Sequence, residues 1–187
     1  IKTLQTFIYE MSINKNKTIM GNDINNMISI SMPKGCRYMS DYENLLNGEL
    51  PLDGKFILNK TVTGCGGTSL FLNSDFPVVI ISPRLQVLKE KHRQYPDSFH
   101  FHVLFSGNRG QAIIQMMRDL DSYLDCHHGS TPFTPLPMRP AKILVTLDSS
   151  DKVLDVLRRN NMLDSCLFVV DEFQCLMGDA TFKGSTD

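Results

Sequence analysis

The chain has 187 residues, 42% hydrophobic and 21% charged, with a formal net charge of −1. This composition supports one folded domain, or one and a fragment, around an ordinary core, and excludes a chain disordered throughout. A charge so near zero excludes a global positive field pulling the protein onto nucleic acid or membrane, so any nucleic-acid contact must be a local patch.

Residues 1–50 are rich in Asn, Met and Ser (INKNKTIMGNDINNMISISMPKG) and weakly patterned. They read as an N-terminal extension, partly helical with much loop. The chain opens on Ile1 rather than Met, consistent with a start inside a longer gene product. From Gly54 the text changes character, and residues 51–187 read as an α/β domain without internal repeats.

Five short apolar runs bounded by turn residues predict buried strands: KFILNK (55–60), PVVIIS (77–82), FHVLFS (101–106), KILVTL (142–147) and CLFVVD (166–171). Near-continuous runs, as opposed to strict alternation, are what a parallel sheet covered on both faces requires. Helices are predicted between them at 84–94, 109–124 and 151–159. In the second, Ile113, Met116, Met117, Leu120 and Leu124 fall on one apolar face. The third is opened by Ser149, Ser150 and Asp151 as candidate caps. CHHGSTPFTPLPMRP (126–140) is punctuated by proline and predicts a surface loop. Strands alternating with helices imply right-handed βαβ units and an open α/β sheet.

Ligands of such sheets sit at the carboxyl ends of the strands, and two candidate sites fall there. TVTGCGGTSL (61–70) follows the first run. Its Gly64, Gly66 and Gly67 let the backbone turn N–H groups toward an anion, and Thr68 or Ser69 offers a hydroxyl to Mg²⁺. A glycine-rich turn without ligand is the even alternative. CLFVVDEFQ (166–174) ends a strand in Asp171 and Glu172. Asp171 suits Mg²⁺ held through water, and Glu172 could orient and polarise an attacking water. A solvated acidic helix start is the alternative there. Order along the chain favours the nucleotide reading, because both stretches follow strands and are expected on the same sheet edge.

TVTGCGGTS resembles motif I of superfamily 2 helicases, and VVDEFQ resembles their DExx motif II. VVIISPRLQVLKEKH sits where motif Ia follows the next strand, and ILVTLDSSDKVL is similar to the segment where a strand leads into a Thr-bearing turn near the bound strand. The resemblance covers roughly residues 54–187. It is nearest to helicase-like proteins of viruses and mobile elements, including the herpesvirus origin-binding type.

The resemblance implies a P-loop NTPase (RecA-like) three-layer sandwich with a mostly parallel sheet, the N-terminal domain of an ATP-dependent nucleic-acid helicase or translocase of phage or mobile-element replication. It implies ATP and Mg²⁺ as cofactors, DNA or RNA as partner, and the cytoplasm of a prokaryotic or phage-infected cell. Gly64, Cys65, Gly66, Gly67, Thr68 and Ser69 would line the phosphates, with Thr68 and Asp171 on the metal and Glu172 as catalytic base. Arg84, Lys89 and Thr146 would face nucleic acid. The run PRLQVLKEKHR, with Arg84, Lys89, Lys91 and Arg93 against Glu90, fits phosphate contacts, or a solvated helix face.

Two departures stand against this pattern. Gly67 occupies the place of the motif I lysine, whose charge contact near 4 Å would be worth about 4 kcal/mol at an effective dielectric of 20. Lys60, or a basic group of another domain, is the candidate substitute. The chain also ends at FKGSTD (182–187), before the motif III strand that the family inserts between the strands of motifs I and II. The resemblance therefore implies an incomplete first domain whose second RecA-like domain lies elsewhere in a longer protein. The alternative function is a helicase-like module without catalysis, a scaffold for nucleic acid or protein. A nucleotide kinase is disfavoured, since no arginine-rich lid follows the acidic motif.

The five cysteines (Cys36, Cys65, Cys126, Cys166 and Cys175) are scattered, with no CxxC pair, which points to a reducing, cytoplasmic setting. Cys126, His127 and His128, even with His100 or His102, lack the spaced pairs of a structural zinc site. Cys65 reads as small filler before it reads as a reactive thiol, and Met116 and Met117 as core. No apolar run approaches the roughly 18 residues of a membrane span, and no secretory signal opens the chain. No pattern fixes an oligomeric state.

Overall fold

The computed structural model describes residues 30–50, 52, 58, 64–103, 108–128 and 139–172. The chain divides into two compact units, residues 1–70 with 173–187 and residues 71–172, and each is taken by itself.

The second unit is an α/β structure built on a four-stranded sheet in the order β2-β3-β1-β4, with every neighbouring pair parallel. The strands are β1 (Val78–Ser82), β2 (Phe99–Phe101), β3 (Lys142–Thr146) and β4 (Leu167–Val170). Val78 pairs with Lys142 on one side and Leu167 on the other, so β1 is central and all five of its residues are buried. Helix α1 (Gly67–Leu72) runs across the boundary between the units. Helices α2 (Leu85–Gln94), α3 (Arg109–His128) and α4 (Ser150–Arg159) carry the chain from each strand to the next.

Alternation within β2 separates the two faces of the sheet. Phe99 lies against Tyr123 of α3 with ring centroids 5.3 Å apart, whereas His100 lies 5.8 Å from His92 of α2. Leu88 of α2, Leu120 and Leu124 of α3, and Val153, Val156 and Leu157 of α4 are buried, as are Ile80, Ile81, Ile143 and Leu144 of the sheet. Each such side chain removed from water contributes about 1.5–3 kcal/mol. Helices α3 and α4 are also tied at their polar margin, where Asn160 Nδ2 donates to Asp121 Oδ1 (2.8 Å) and Arg159 pairs with its other oxygen (3.3 Å).

Three of the five expected strands are present at or within one residue of their apolar runs. The third differs: the strand is Phe99–Phe101, two residues earlier than the run 101–106, because the ladder seats Phe99, His100 and Phe101 against Ile143, Leu144 and Val145. Residues 104–107 lie outside the described set, as does the expected first strand at 55–60 apart from Leu58. Helix α3 runs on to His128, past the expected end at 124, so Cys126, His127 and His128 are helical. Tyr123 and His127 hold that extra turn, their rings 4.0 Å apart and His127 Nδ1 2.8 Å from the Tyr123 carbonyl.

At α4 the N-cap is Ser149, without a side-chain capping bond. A 3-10 turn, Leu147–Ser149, precedes the helix, and Ser150 Oγ donates back to the Leu147 carbonyl (2.7 Å). No helix among the described residues is long and apolar enough to cross a membrane. In the first unit, the described residues 30–50 hold two 3-10 turns, Met39–Asp41 and Glu43–Leu45.

Candidate functional site

β1 and β4 deliver three of the expected site residues to one place. β4 ends at Val170, opposite Ile81, and the ladder continues one step further as the Asp171 N–H donates to the Ile81 carbonyl (2.9 Å). β1 ends at the fully buried Ser82, whose Oγ accepts from the Arg84 N–H (3.3 Å), and the chain turns there into α2 with Arg84 as its N-cap. Arg84 Nε then meets Glu172 Oε2 at 2.8 Å, the arginine side chain 63% exposed and the glutamate 26%. Asp171 Oδ1 accepts the Glu172 N–H (3.1 Å), and Glu172 sits at φ +54°. That left-handed backbone is costly for a residue with a Cβ, and such outliers gather at functional sites.

The other two nucleic-acid candidates are placed differently. Thr146 pairs with Ser82, so it ends β3 at the same carboxyl edge, one strand over from Arg84. Lys89 is exposed on α2, and its charge acts on His100 and His102.

The glycine turn belongs to the first unit. Gly64 (φ +72°) and Gly66 (φ +84°) both adopt the left-handed region, and a Cβ on Gly64 would meet nothing within 4 Å. A Cβ on Gly66 would lie 2.9 Å from Tyr38 Cβ and 3.2 Å from Ser40 Oγ, and the Met39 N–H donates to the Cys65 carbonyl at 2.7 Å. Cys65 Sγ lies 3.5 Å from Met39 Sδ. Asp41 holds this neighbouring segment in shape, its Oδ2 accepting the N–H groups of Arg37 (3.1 Å) and Tyr38 (2.8 Å).

Gly66 is therefore required by the close approach of residues 38–40, a role that sequence reasoning missed; a turn that needs glycine for chain packing looks the same in sequence as one that needs it for phosphate. Gly67 is buried and opens α1, while Thr68 and Ser69 are half-buried in its first turn. α1 has six residues, under two turns, so its dipole contributes little. Lys60 lies outside the described residues.

No family model matches the chain, and no curated protein or solved structure matches it. The chemistry open to the site follows from its own groups. Among the described residues, no group of three or more His, Cys, Asp or Glu side chains is arranged to hold a metal ion. Mg²⁺ bound beside phosphate uses one or two carboxylates and keeps several waters. Asp171, with one oxygen taken by the Glu172 N–H, fits that sparser demand and does not fit an all-protein metal cage.

Two further polar clusters lie in the second unit. His100 and His102 stack with centroids 5.4 Å apart and planes 13° from parallel. His92 adds a third ring, its Nδ1 3.2 Å from Ser98 Oγ. His100 Nε2 is buried without a hydrogen-bond partner. Burial, then the positive charge of His102, His92 and Lys89, holds the His100 pKa down to about 4. His127 stands apart from these rings and packs on Tyr123 of α3.

Lys142, which carried no signal in the sequence, places its Nζ 2.7 Å from the Ser74 carbonyl, Ser74 Oγ and the Phe76 carbonyl, and 3.3 Å from the Phe71 carbonyl. Burial lowers its pKa to about 8, partly opposed by Asp75, so it stays protonated at neutral pH. It acts as a tethered cation fixing the segment after α1 to the start of β3.

Proposed function

We propose that the chain is the nucleotide-binding part of an ATP-dependent nucleic-acid helicase or translocase of phage or mobile-element replication, built around a RecA-like P-loop domain. The observation that carries this reading is the pair Asp171 and Glu172 at the carboxyl end of a parallel strand, with Arg84 2.8 Å from Glu172, on the edge where α/β sheets bind their ligands. Asp171 would hold Mg²⁺, and Glu172 would take the proton of the attacking water. Mg²⁺ and ATP, when bound, supply the electrophilic phosphoryl group and neutralise charge around it.

By the resemblance, Gly64, Cys65, Gly66, Gly67 and Ser69 would line phosphates, Thr68 would offer a hydroxyl to a metal, and Lys60 is the candidate for the missing motif I cation. Arg84, Lys89 and Thr146 face DNA or RNA, and a second RecA-like domain completes the nucleotide cleft. Calorimetric titration of the full-length protein with Mg-ATP should give heat that Thr68→Ala diminishes. Glu172→Gln should abolish turnover and spare binding. The absence of both heat and a thermal shift on adding nucleotide would sink the proposal.

A second reading, a helicase-like scaffold without catalysis, is favoured by the glycine turn itself. Its Cys65 carbonyl is engaged by Met39, and residues 38 and 40 fill the space beside Gly66. This reading expects nucleic-acid binding indifferent to ATP, and a strong ATP dependence of that binding would exclude it.

A further inference from the structure

We infer that the seam between α3 and α4 is a docking groove for an acidic amphipathic helix of a partner protein, one that seats an apolar side chain between flanking carboxylates. The inference is independent of the nucleotide reading and uses none of the residues named for it.

The groove starts from spacing. Ile114, Met117, Arg118 and Asp121 fall at i, i+3, i+4 and i+7 of α3, so they share one stripe of the helix. With Arg159 at the end of α4 they line a cavity of about 210 Å³, room enough for an aliphatic side chain. Ile114 is 52% exposed, and among the described residues of this unit no other large hydrophobic side chain is as open to water. Met117 is half-buried, while Leu120 and Leu124 farther round the helix belong to the core. The apolar surface of α3 therefore runs on from the core into the groove.

Charge selects the occupant. Asp121 has both oxygens engaged across the seam, Oδ1 by Asn160 (2.8 Å) and Oδ2 by Arg159 (3.3 Å). The carboxylate one turn from Arg118 is thus committed to α4. Arg118 is exposed and has no ion-pair partner among the described residues. Arg159 gives one nitrogen to Asp121 and keeps the rest of its donor fork. Guanidinium donors thus stand on both helices around Ile114 and Met117, a match for an aliphatic side chain with carboxylates beside it. A phosphodiester chain would meet the same arginines, but it has nothing to offer the two apolar side chains and is repelled by Asp121. Met and Arg are enriched at protein-binding surfaces, and Met repacks around varied side chains.

The position suits a partner. Two residues beyond Asp121, Tyr123 Oη accepts the N–H of Lys142, the first residue of β3 (3.0 Å). This part of α3 therefore lies at the amino-terminal rim of the sheet, opposite the edge that carries Asp171 and Glu172, and an occupant leaves that edge open.

The test is fluorescence anisotropy of the full chain with a stapled helical peptide, leucine at every third or fourth position and glutamate between, the staple keeping the ordering cost low. The peptide should bind saturably, and more weakly as salt rises. Ile114→Ser and Arg118→Glu change exposed positions and should leave the melting curve in place, yet each should weaken binding about ten-fold. The same peptide with lysine for glutamate should bind the unaltered protein poorly and Arg118→Glu better, a reversal that damage to the fold would not produce.

No saturable binding up to about 1 mM, or equal affinity for the two peptides, would overturn the inference. So would an affinity untouched by both substitutions. A single-stranded oligothymidylate that displaces the peptide, and whose own binding is lost in Arg118→Glu, would reassign the groove to nucleic acid. Sedimentation showing dimers that Ile114→Ser breaks would make a second copy the occupant. Either result overturns the partner-helix assignment.

Discussion

Lowering the pH from about 7.5 to about 5 should weaken the unit of residues 71–172, chiefly through His100, with His102 shifted in the same direction by burial and by Lys89. The folded-state pKa of His100 is held to about 4, against 6.5 for the unperturbed side chain, by burial and by the charges of His102, His92 and Lys89. A histidine depressed in this way contributes its full stability above the unfolded pKa. As the pH falls through 6.5 toward 4 the contribution is lost, because the unfolded chain takes up the proton first. Fully expressed, the loss by about pH 5 would be about 2 kcal/mol, and solvent screening of a half-buried group reduces it to about 1 kcal/mol.

His100→Phe keeps an aromatic ring between His92 and His102 and removes the titrating nitrogens, including the unpartnered Nε2. Urea unfolding of both proteins at the two pH values, followed by far-UV circular dichroism, gives the comparison. The unaltered chain should lose about 1 kcal/mol more than the variant on acidification. Equal losses would refute the reasoning, since they would mean that His100 binds its proton as readily folded as unfolded.

Other perturbations follow from the same contacts. Lys142→Met retains the aliphatic stem but strips the carbonyls of Ser74 and Phe76 of their ammonium donor. At about 1–3 kcal/mol per unsatisfied group, offset by the relief of a buried charge, the net cost should be about 2 kcal/mol. For a unit of this size that is a fall of about 8–16 °C in Tm, and a melting curve superimposable on the unaltered one would exclude the tethering role. Gly66→Ala combines a left-handed φ of +84° with a Cβ 2.9 Å from that of Tyr38. It should cost about 1–3 kcal/mol, read as earlier proteolysis of the segment around Tyr38, whereas Gly64→Ala, with open space for its methyl, should cost less.

The sheet was legible where its residues are β-branched and continuous. The runs at 77–82, 142–147 and 166–171 became β1, β3 and β4, with central β1 buried along its whole length. β2 was misplaced because Phe99-His100-Phe101 alternates between two covered faces, and a histidine packed on another histidine carries no apolar signature in the sequence. The end of α3 was set too early because stacking of Tyr123 on His127 outweighs the weak helix propensity of His127 and His128.

At the site, the position of Asp171 and Glu172 after the last strand could be read from spacing. The ion-pair partner of Glu172 could not, since Arg84 follows a different strand and meets Glu172 only when β1 and β4 pair. The Lys142 contacts are hidden for the same reason, because three of its four acceptors are backbone carbonyls that no residue identity reveals.

The strand order β2-β3-β1-β4 also sets an order of assembly. β1 is made early, but the flank that Leu167–Val170 will cover stays open until the ribosome has released nearly ninety further residues (Val78 pairs with Leu167). In that interval five consecutive apolar or small residues present unsatisfied amides along one side, the kind of template on which nascent chains stick to one another. Products cut short within α4 should therefore aggregate, while those reaching past Val170 should stay dispersed. The closing strand thus serves as the guard of the hydrophobic one, besides presenting the acidic pair.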